Sequence, residues 1–195
     1  GAAIRAMRAA AKRDIKIGYA PTGTMPIPDT EDERDIKAAR ELLFACPDIN
    51  NFVWSTVFWS DPVVLGRYPE GFLEKCGELM PEIKPGDMEL ISEPMDFYGQ
   101  NIYQGIRVKA GEDGKAEIIP RAVGYAKSAM NWPVDPECLR WGPRFLYERY
   151  RKPIYITENG TAANDVVSLD GGVHDEARIE YIRRHLIELE KAADD

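Results

Sequence analysis

No stretch of this 195-residue sequence approaches the roughly 18 consecutive apolar residues needed to cross a bilayer, so no membrane-spanning helix is expected within it. Cysteine is scarce. Cys46, Cys76 and Cys138 are odd in number, far apart and without a Cys-x-x-Cys pair, which argues against a disulfide framework and against a zinc site. Histidine is scarcer still: His174 and His185 are the whole supply, and two histidines without further ligands read as surface or capping residues. Positive charge is in deficit, with 25 Lys and Arg against 33 Asp and Glu for a net charge of -8. An acidic surface repels phosphate backbones and anionic lipids, so neither a nucleic acid nor a membrane is expected as a partner. No Gly-rich phosphate loop occurs, and no metal, nucleotide or flavin cofactor is expected. Met is absent from position 1 and no signal-peptide core follows; Gly1-Ala2-Ala3-Ile4 reads as the middle of a helix. The cysteine usage fits a reducing compartment, and a cytoplasmic location is the expectation.

What is present is ordinary for a globular chain: 44% hydrophobic and 30% charged residues. Ile4, Met7 and Ala11 recur at helical spacing, which predicts a helix over residues 2–13. Residues 15–20 read as a short strand stopped by Pro21 and Gly23, and a loop rich in Pro and Thr follows. Ile36, Ala39 and Leu43 predict a helix over 31–45, capped by Asp29 or Thr30. The aromatic stretch to Tyr68 reads as irregular, with Trp54 and Trp59 assigned to the core. A short helix is expected over 70–80 with Phe72, Cys76 and Leu79 inward. Residues 95–101 alternate as a strand, and 106–119 read as a hairpin about Asp113-Gly114. Asp135-Pro136-Glu137 reads as a helix start with Asp135 as cap. Residues 154–157 form a third strand. Ile179, Ile182, Leu186 and Leu189 lie on one stripe of a helix over 175–192.

Strands separated by helices imply a parallel sheet with right-handed crossovers. Three strand-to-helix units do not close an eight-unit barrel, which takes about 250 residues. A small open α/β sheet fits the pattern equally. One carboxylate stands out. Glu158 follows the apolar strand Ile154-Tyr155-Ile156-Thr157 and precedes a sharp Asn159-Gly160 turn, at the strand end where α/β folds place their chemistry. A capping or salt-bridging role would suit it as well.

The string Tyr155-Ile156-Thr157-Glu158-Asn159-Gly160 resembles the nucleophile signature of glycoside hydrolase family 1, the β-glucosidase family. The likeness extends along the chain in family order. Asp61-Pro62 with Gly66-Arg67-Tyr68-Pro69, the strand Asp96 to Tyr103, Trp132 before Asp135-Pro136-Glu137, and Val173-His174-Asp175 with Arg178, Ile179, Tyr181 and His185 all resemble family segments. Ile102 departs from the family's usual tyrosine, and Asn131 stands where glycine is frequent.

The resemblance implies a partial (β/α)8 barrel over residues 1–195: a single, incomplete domain of about three βα units with a hairpin excursion. It implies a retaining β-glycosidase acting on terminal β-linked glucosides or oligosaccharides. Glu158 would be the nucleophile and Tyr103 the phenol that orients it. Asn101 would face the sugar, and Trp132 would be the platform on which a sugar or aglycone stacks. From the residues alone, Tyr103 reads rather as a core aromatic with a satisfied hydroxyl, and Trp132 reads also as an ordinary buried tryptophan. The family's acid/base glutamate lies in an Asn-Glu-Pro motif that this sequence lacks; Ser92-Glu93-Pro94 imitates it, but Glu93 precedes its strand and falls at the wrong end of a barrel. Activity is therefore expected only with the rest of the barrel, supplied by further chain or by self-association. A 6-phospho-β-glucosidase and a non-catalytic, carbohydrate-binding or structural fragment are the alternatives.

Overall fold

A computed structural model describes residues 1–194. Six strands and seven α-helices alternate along it. Helix α1 (Ala2–Ala10) leads to strands β1 (Gly18–Tyr19) and β2 (Met25–Pro28), then to α2 (Glu33–Leu43), α3 (Thr56–Leu65), α4 (Phe72–Cys76) and α5 (Asp87–Ile91). Strands β3 (Phe97–Asn101), β4 (Gly105–Ala110) and β5 (Ala116–Ile118) follow, then α6 (Cys138–Tyr150), β6 (Ile154–Glu158) and α7 (Glu176–Asp194). One sheet has the order β1-β3-β6, all parallel; the other has the order β2-β4-β5, with β4 and β5 as the antiparallel hairpin. No helix of the described residues is long and apolar enough to cross a membrane.

Alternation along β3 divides its two faces. Tyr98 and Gln100 turn inward, with Ile102 just beyond the strand, and the main core forms there between the sheets, α2 and α6, from Met25, Ile27, Leu43, Phe145, Leu146 and their neighbours. The opposite face carries Phe97, Gly99 and Asn101, beside Tyr155 and Thr157 of β6; Tyr155 is more than half exposed and packs on Phe97. This second face is open. Gly18 and Gly99 keep it flat: a Cβ at Gly18 would lie 2.2 Å from the Phe97 ring, and one at Gly99 would lie 3.0 Å from the Tyr19 carbonyl.

Several expectations are corrected. Trp54 and Trp59 are not core residues; they are 72% and 46% exposed. Phe58 takes the buried place, packed against Phe52, Tyr68 and Phe72. The stretch expected to be irregular holds α3, whose cap Ser55 accepts from the Phe58 amide and whose end is the left-handed Gly66. Its residues are apolar on every side, so no periodicity announces it, and Pro62 reads as a breaker. The Pro-rich loop contains β2, all four residues of which are buried. The 70–80 helix is a short α-helix and a 3-10 turn, and Leu79 is exposed. Met7 of α1 is exposed as well. The cap of α2 is Asp32, not Asp29 or Thr30. Asp135 makes no side-chain cap to α6: its carboxylate takes Arg121 at 2.7 and 2.9 Å and the Gly105 amide at 3.3 Å, and α6 begins at Cys138. His185 is neither a surface nor a capping residue, being 1% exposed. The three cysteines are free thiols.

The largest correction concerns α7. Most of its apolar stripe points outward: Ile179, Ile182 and Leu186 are exposed, while Leu189 packs against the main core and Tyr181 and His185 face the body of the protein. With β1 and β6 as open strand edges, we propose that the exposed part of that stripe lets the 195-residue chain by itself associate. Sedimentation velocity of the purified chain should show species heavier than the monomer, growing with concentration; a cooperative monomer at high concentration would contradict this. Replacing Ile179, Ile182 and Leu186 with Gln should reduce the association.

Candidate active site

The C-terminal ends of β3 and β6 carry the residues singled out above. By strict alternation Glu158 would share the inward face of Ile154 and Ile156. A bulge prevents that. Gln100 pairs with Ile156 and Asn101 with Glu158, so Thr157 is the extra residue. The extra step turns Glu158 to the open face, toward Asn101 and Tyr103; re-aiming a side chain in this way is a common use of a bulge near functional sites. The Ile102 amide donates to the Glu158 carbonyl at 2.9 Å and closes the ladder.

The Tyr103 phenol donates to Oε2 of Glu158. That bond, then partial burial, raises the Tyr103 pKa above the ordinary phenol value, so its proton stays in place to be shared. Asn101 is fixed by Thr157, whose hydroxyl donates to Asn101 Oδ1 at 2.6 Å. Asn159 Nδ2 donates to the Ile102 carbonyl at 2.9 Å and to the Tyr181 hydroxyl at 3.3 Å, anchoring the turn behind Glu158.

Trp132 stands edge-on to Tyr103, with ring centroids 5.5 Å apart. Its loop is held by Ser128: the Ser128 hydroxyl accepts from the amides of Met130 and Trp132, and the Ser128 amide donates to the Trp132 carbonyl. Asn131 has φ 60°, the left-handed region. Asparagine tolerates that region better than other residues with a Cβ, which accounts for Asn where glycine is the frequent choice.

Asn101, Tyr103, Ser128, Trp132 and Glu158 thus border one cleft of about 600 Å³, with Thr22 and the turn after Glu158 completing it. All four residues proposed from the sequence line it. Among the described residues bordering the cleft, Glu158 is the one carboxylate. Glu93 lies elsewhere, ahead of β3 and paired with Arg5 of α1. No group of three or more His, Cys, Asp or Glu among the described residues is placed to hold a metal ion. Thr157 and Asn159 belong to the segment singled out around Glu158, but their contacts to Asn101, Ile102 and Tyr181 were not foreseen, nor was Ser128. Their polar side chains beside Glu158 and Trp132 were the available signal, but the bulge and turn that aim them have no spacing of their own.

The cleft combines a carboxylate, a phenol donor, an amide and an exposed indole, which suits a polyhydroxylated ring. The sequence model described as Glycosyl hydrolase family 1 matches residues 1–195. Beta-glucosidase A of Thermotoga maritima is 38% identical over 181 residues, which cover 92% of this chain and 39% of that protein. An aryl-phospho-beta-D-glucosidase of Bacillus subtilis is 34% identical, with 93% of this chain and 39% of that protein covered. Among solved structures, the family 1 β-glucosidase of Thermotoga maritima superposes with a TM-score of 0.74 at 36% identity, covering 98% of this chain and 41% of that one. The same enzyme in complex with isofagomine lactam gives 0.72 at 37%. The chain spans about two fifths of the length of these relatives.

Proposed function

The chain belongs to glycosyl hydrolase family 1, and on that footing we propose that it forms the nucleophile side of a retaining β-glucosidase site within an eight-stranded barrel. The carrying observation is the aim of Glu158: a bulge turns it into the cleft, where Tyr103 donates to it. In the proposed reaction a Glu158 oxygen attacks the anomeric carbon while the bond to the leaving oxygen breaks. A second carboxyl group protonates that oxygen, and later takes a proton from the water that releases the sugar. Retention requires the two carboxyls roughly 5–5.5 Å apart. Among the described residues Glu158 is the one carboxylate bordering this cleft, so the acid/base comes from chain beyond them. The Asn101 amide is the donor to a sugar hydroxyl, since Thr157 already occupies its oxygen. Trp132 covers a C–H face of the ring beyond the scissile bond.

β-Glucosides are the substrates proposed first, because the more similar of the two relatives above is named a β-glucosidase. The Bacillus subtilis relative makes 6-phospho-glucosides the substrate to assay beside them. The purified 195-residue chain should hydrolyse an aryl β-glucoside negligibly, while the longer barrel protein carrying it turns over and loses that turnover with Glu158→Gln. Turnover by the chain alone, or full activity of the barrel protein with Glu158→Gln, would refute the proposal.

A further inference from the structure

Tyr103 lies two residues past the end of β3, beyond the bond from Ile102 to Glu158 that closes the ladder. The neighbouring strand therefore gives its carbonyl no donor. Tyr181, on the first half of α7, supplies one: its phenol donates to the Tyr103 carbonyl at 3.2 Å. The Tyr181 hydroxyl oxygen also accepts from Asn159 Nδ2 at 3.3 Å, and Asn159 is the residue directly after Glu158. One hydroxyl thus ties together the two chain segments whose side chains meet at Tyr103 and Glu158. Its single hydrogen is committed to one segment and a lone pair to the other.

We propose that Tyr181 is a positioning residue for the nucleophile, holding the phenol of Tyr103 and the carboxylate of Glu158 in register from the wall of the cleft. The proposal rests on reading Glu158 as the nucleophile. Three further observations support it. Tyr181 is 5% exposed, and burial pushes its pKa up to about 12, so the donor proton is present throughout the working range. Its ring lies against His185, with centroids 3.8 Å apart and planes 25° apart, which fixes the direction of the hydroxyl. His185 Nδ1 donates to the Tyr181 carbonyl at 2.8 Å, its Nε2 has no hydrogen-bond partner among the described residues, and burial lowers its pKa, so the imidazole serves the tyrosine by packing. A tyrosine needed only to fill the core would not require its oxygen.

The test separates ring from hydroxyl in the complete barrel protein. Tyr181→Phe keeps the packing on His185. The expected result is a fall in kcat of about tenfold to a hundredfold with KM nearly unchanged, the size of loss that follows a misplacement of under about an ångström. Tyr181 acts through Tyr103, so the combined loss in the pair Tyr103→Phe, Tyr181→Phe should be well below the product of the single losses. An unchanged kcat with a lowered melting temperature, or losses that multiply, would overturn the proposal. Should Tyr181→Phe fail to fold, Asn159→Ala removes the other half of the tie, and an unchanged kcat there overturns it equally. Azide rescue of Glu158→Gly, measured on the same protein, keeps the two readings apart: rescue with a normal Tyr181→Phe variant sinks the tie alone, and absent rescue sinks the nucleophile.

Discussion

Glu158→Gly, made in the complete barrel protein, should lower turnover of an aryl β-glucoside by on the order of 10⁶-fold, the scale of loss seen when a catalytic nucleophile is deleted. Azide should then restore reaction and yield the α-glycosyl azide. Glu158 stands at the end of β6 with its carboxylate in the cleft and Tyr103 donating to it. Removing the side chain opens space on the face from which the carboxylate would attack, and a small anion can enter it. With the acid/base still present and an activated leaving group, azide attacks the anomeric carbon directly. One displacement inverts that centre, so a β-glucoside gives the α-azide. Were Glu158 the acid/base instead, a glycosyl-enzyme would form first on another residue. Azide would then arrive from the opposite face and give the β-azide. Were Glu158 only a structural partner of Tyr103, azide would restore nothing. Product NMR reads the anomer directly, and a β-azide, or no rescue in a folded variant, would remove Glu158 from the role.

Glu158 was legible because its signal is local: an apolar strand, a carboxylate and a turn in consecutive positions. Asn101 and Tyr103 were legible by the same logic, two residues apart at the end of another strand. What could not be read is what depends on partners distant in sequence. The bulge at Thr157 reverses the facing of Glu158, and period-two alternation alone would have turned it inward. Helix α7 shows the limit from the other side. Of its best periodic stripe, Ile179, Ile182 and Leu186 are exposed and only Leu189 reaches the core, while Tyr181 and His185 are the residues buried against the body. Periodicity reports that a face will be covered, not which neighbour covers it. Trp54 and Trp59 failed for a related reason: in a stretch with aromatics on every side, size does not tell which ring is inside, and the smaller Phe58 took the place.

The largest expected loss of stability lies away from the cleft, at Asp61. Its side chain is 3% exposed, and it lies on α3, where only its Asp-Pro dipeptide drew notice in the sequence. Oδ1 accepts from Arg149 Nε at 3.0 Å and from the Tyr150 hydroxyl at 2.9 Å, while Oδ2 accepts from a second guanidinium nitrogen of Arg149. The carboxylate thereby ties α3 to the end of α6. Tyr150 also stacks on Tyr98 of β3 at 5.0 Å, and the Tyr98 hydroxyl bonds Ser60 at 2.7 Å, so the tie continues into the sheet. Asp61→Ala would leave a guanidinium and a phenol without their acceptor. Breaking one side of a buried pair costs about 3–5 kcal/mol. Arg149 is 31% exposed and can recover part of its hydration, which places the expected loss near the lower end, about 3 kcal/mol. Lys37→Ala is the comparison: its partner Glu41 lies one turn on, both side chains are more than half exposed, and the expected change is within about 0.5 kcal/mol. Urea midpoints of the two variants in the complete protein measure the difference, with kcat near the parent value for folded Asp61→Ala, since Asp61 does not border the cleft. Replacing both partners, Asp61→Leu with Arg149→Met, should recover part of the loss, because an apolar pair leaves neither charge behind, although the Tyr150 phenol still lacks its acceptor. Equal midpoints for Asp61→Ala and Lys37→Ala would show that the bidentate pair does not hold α3 to α6.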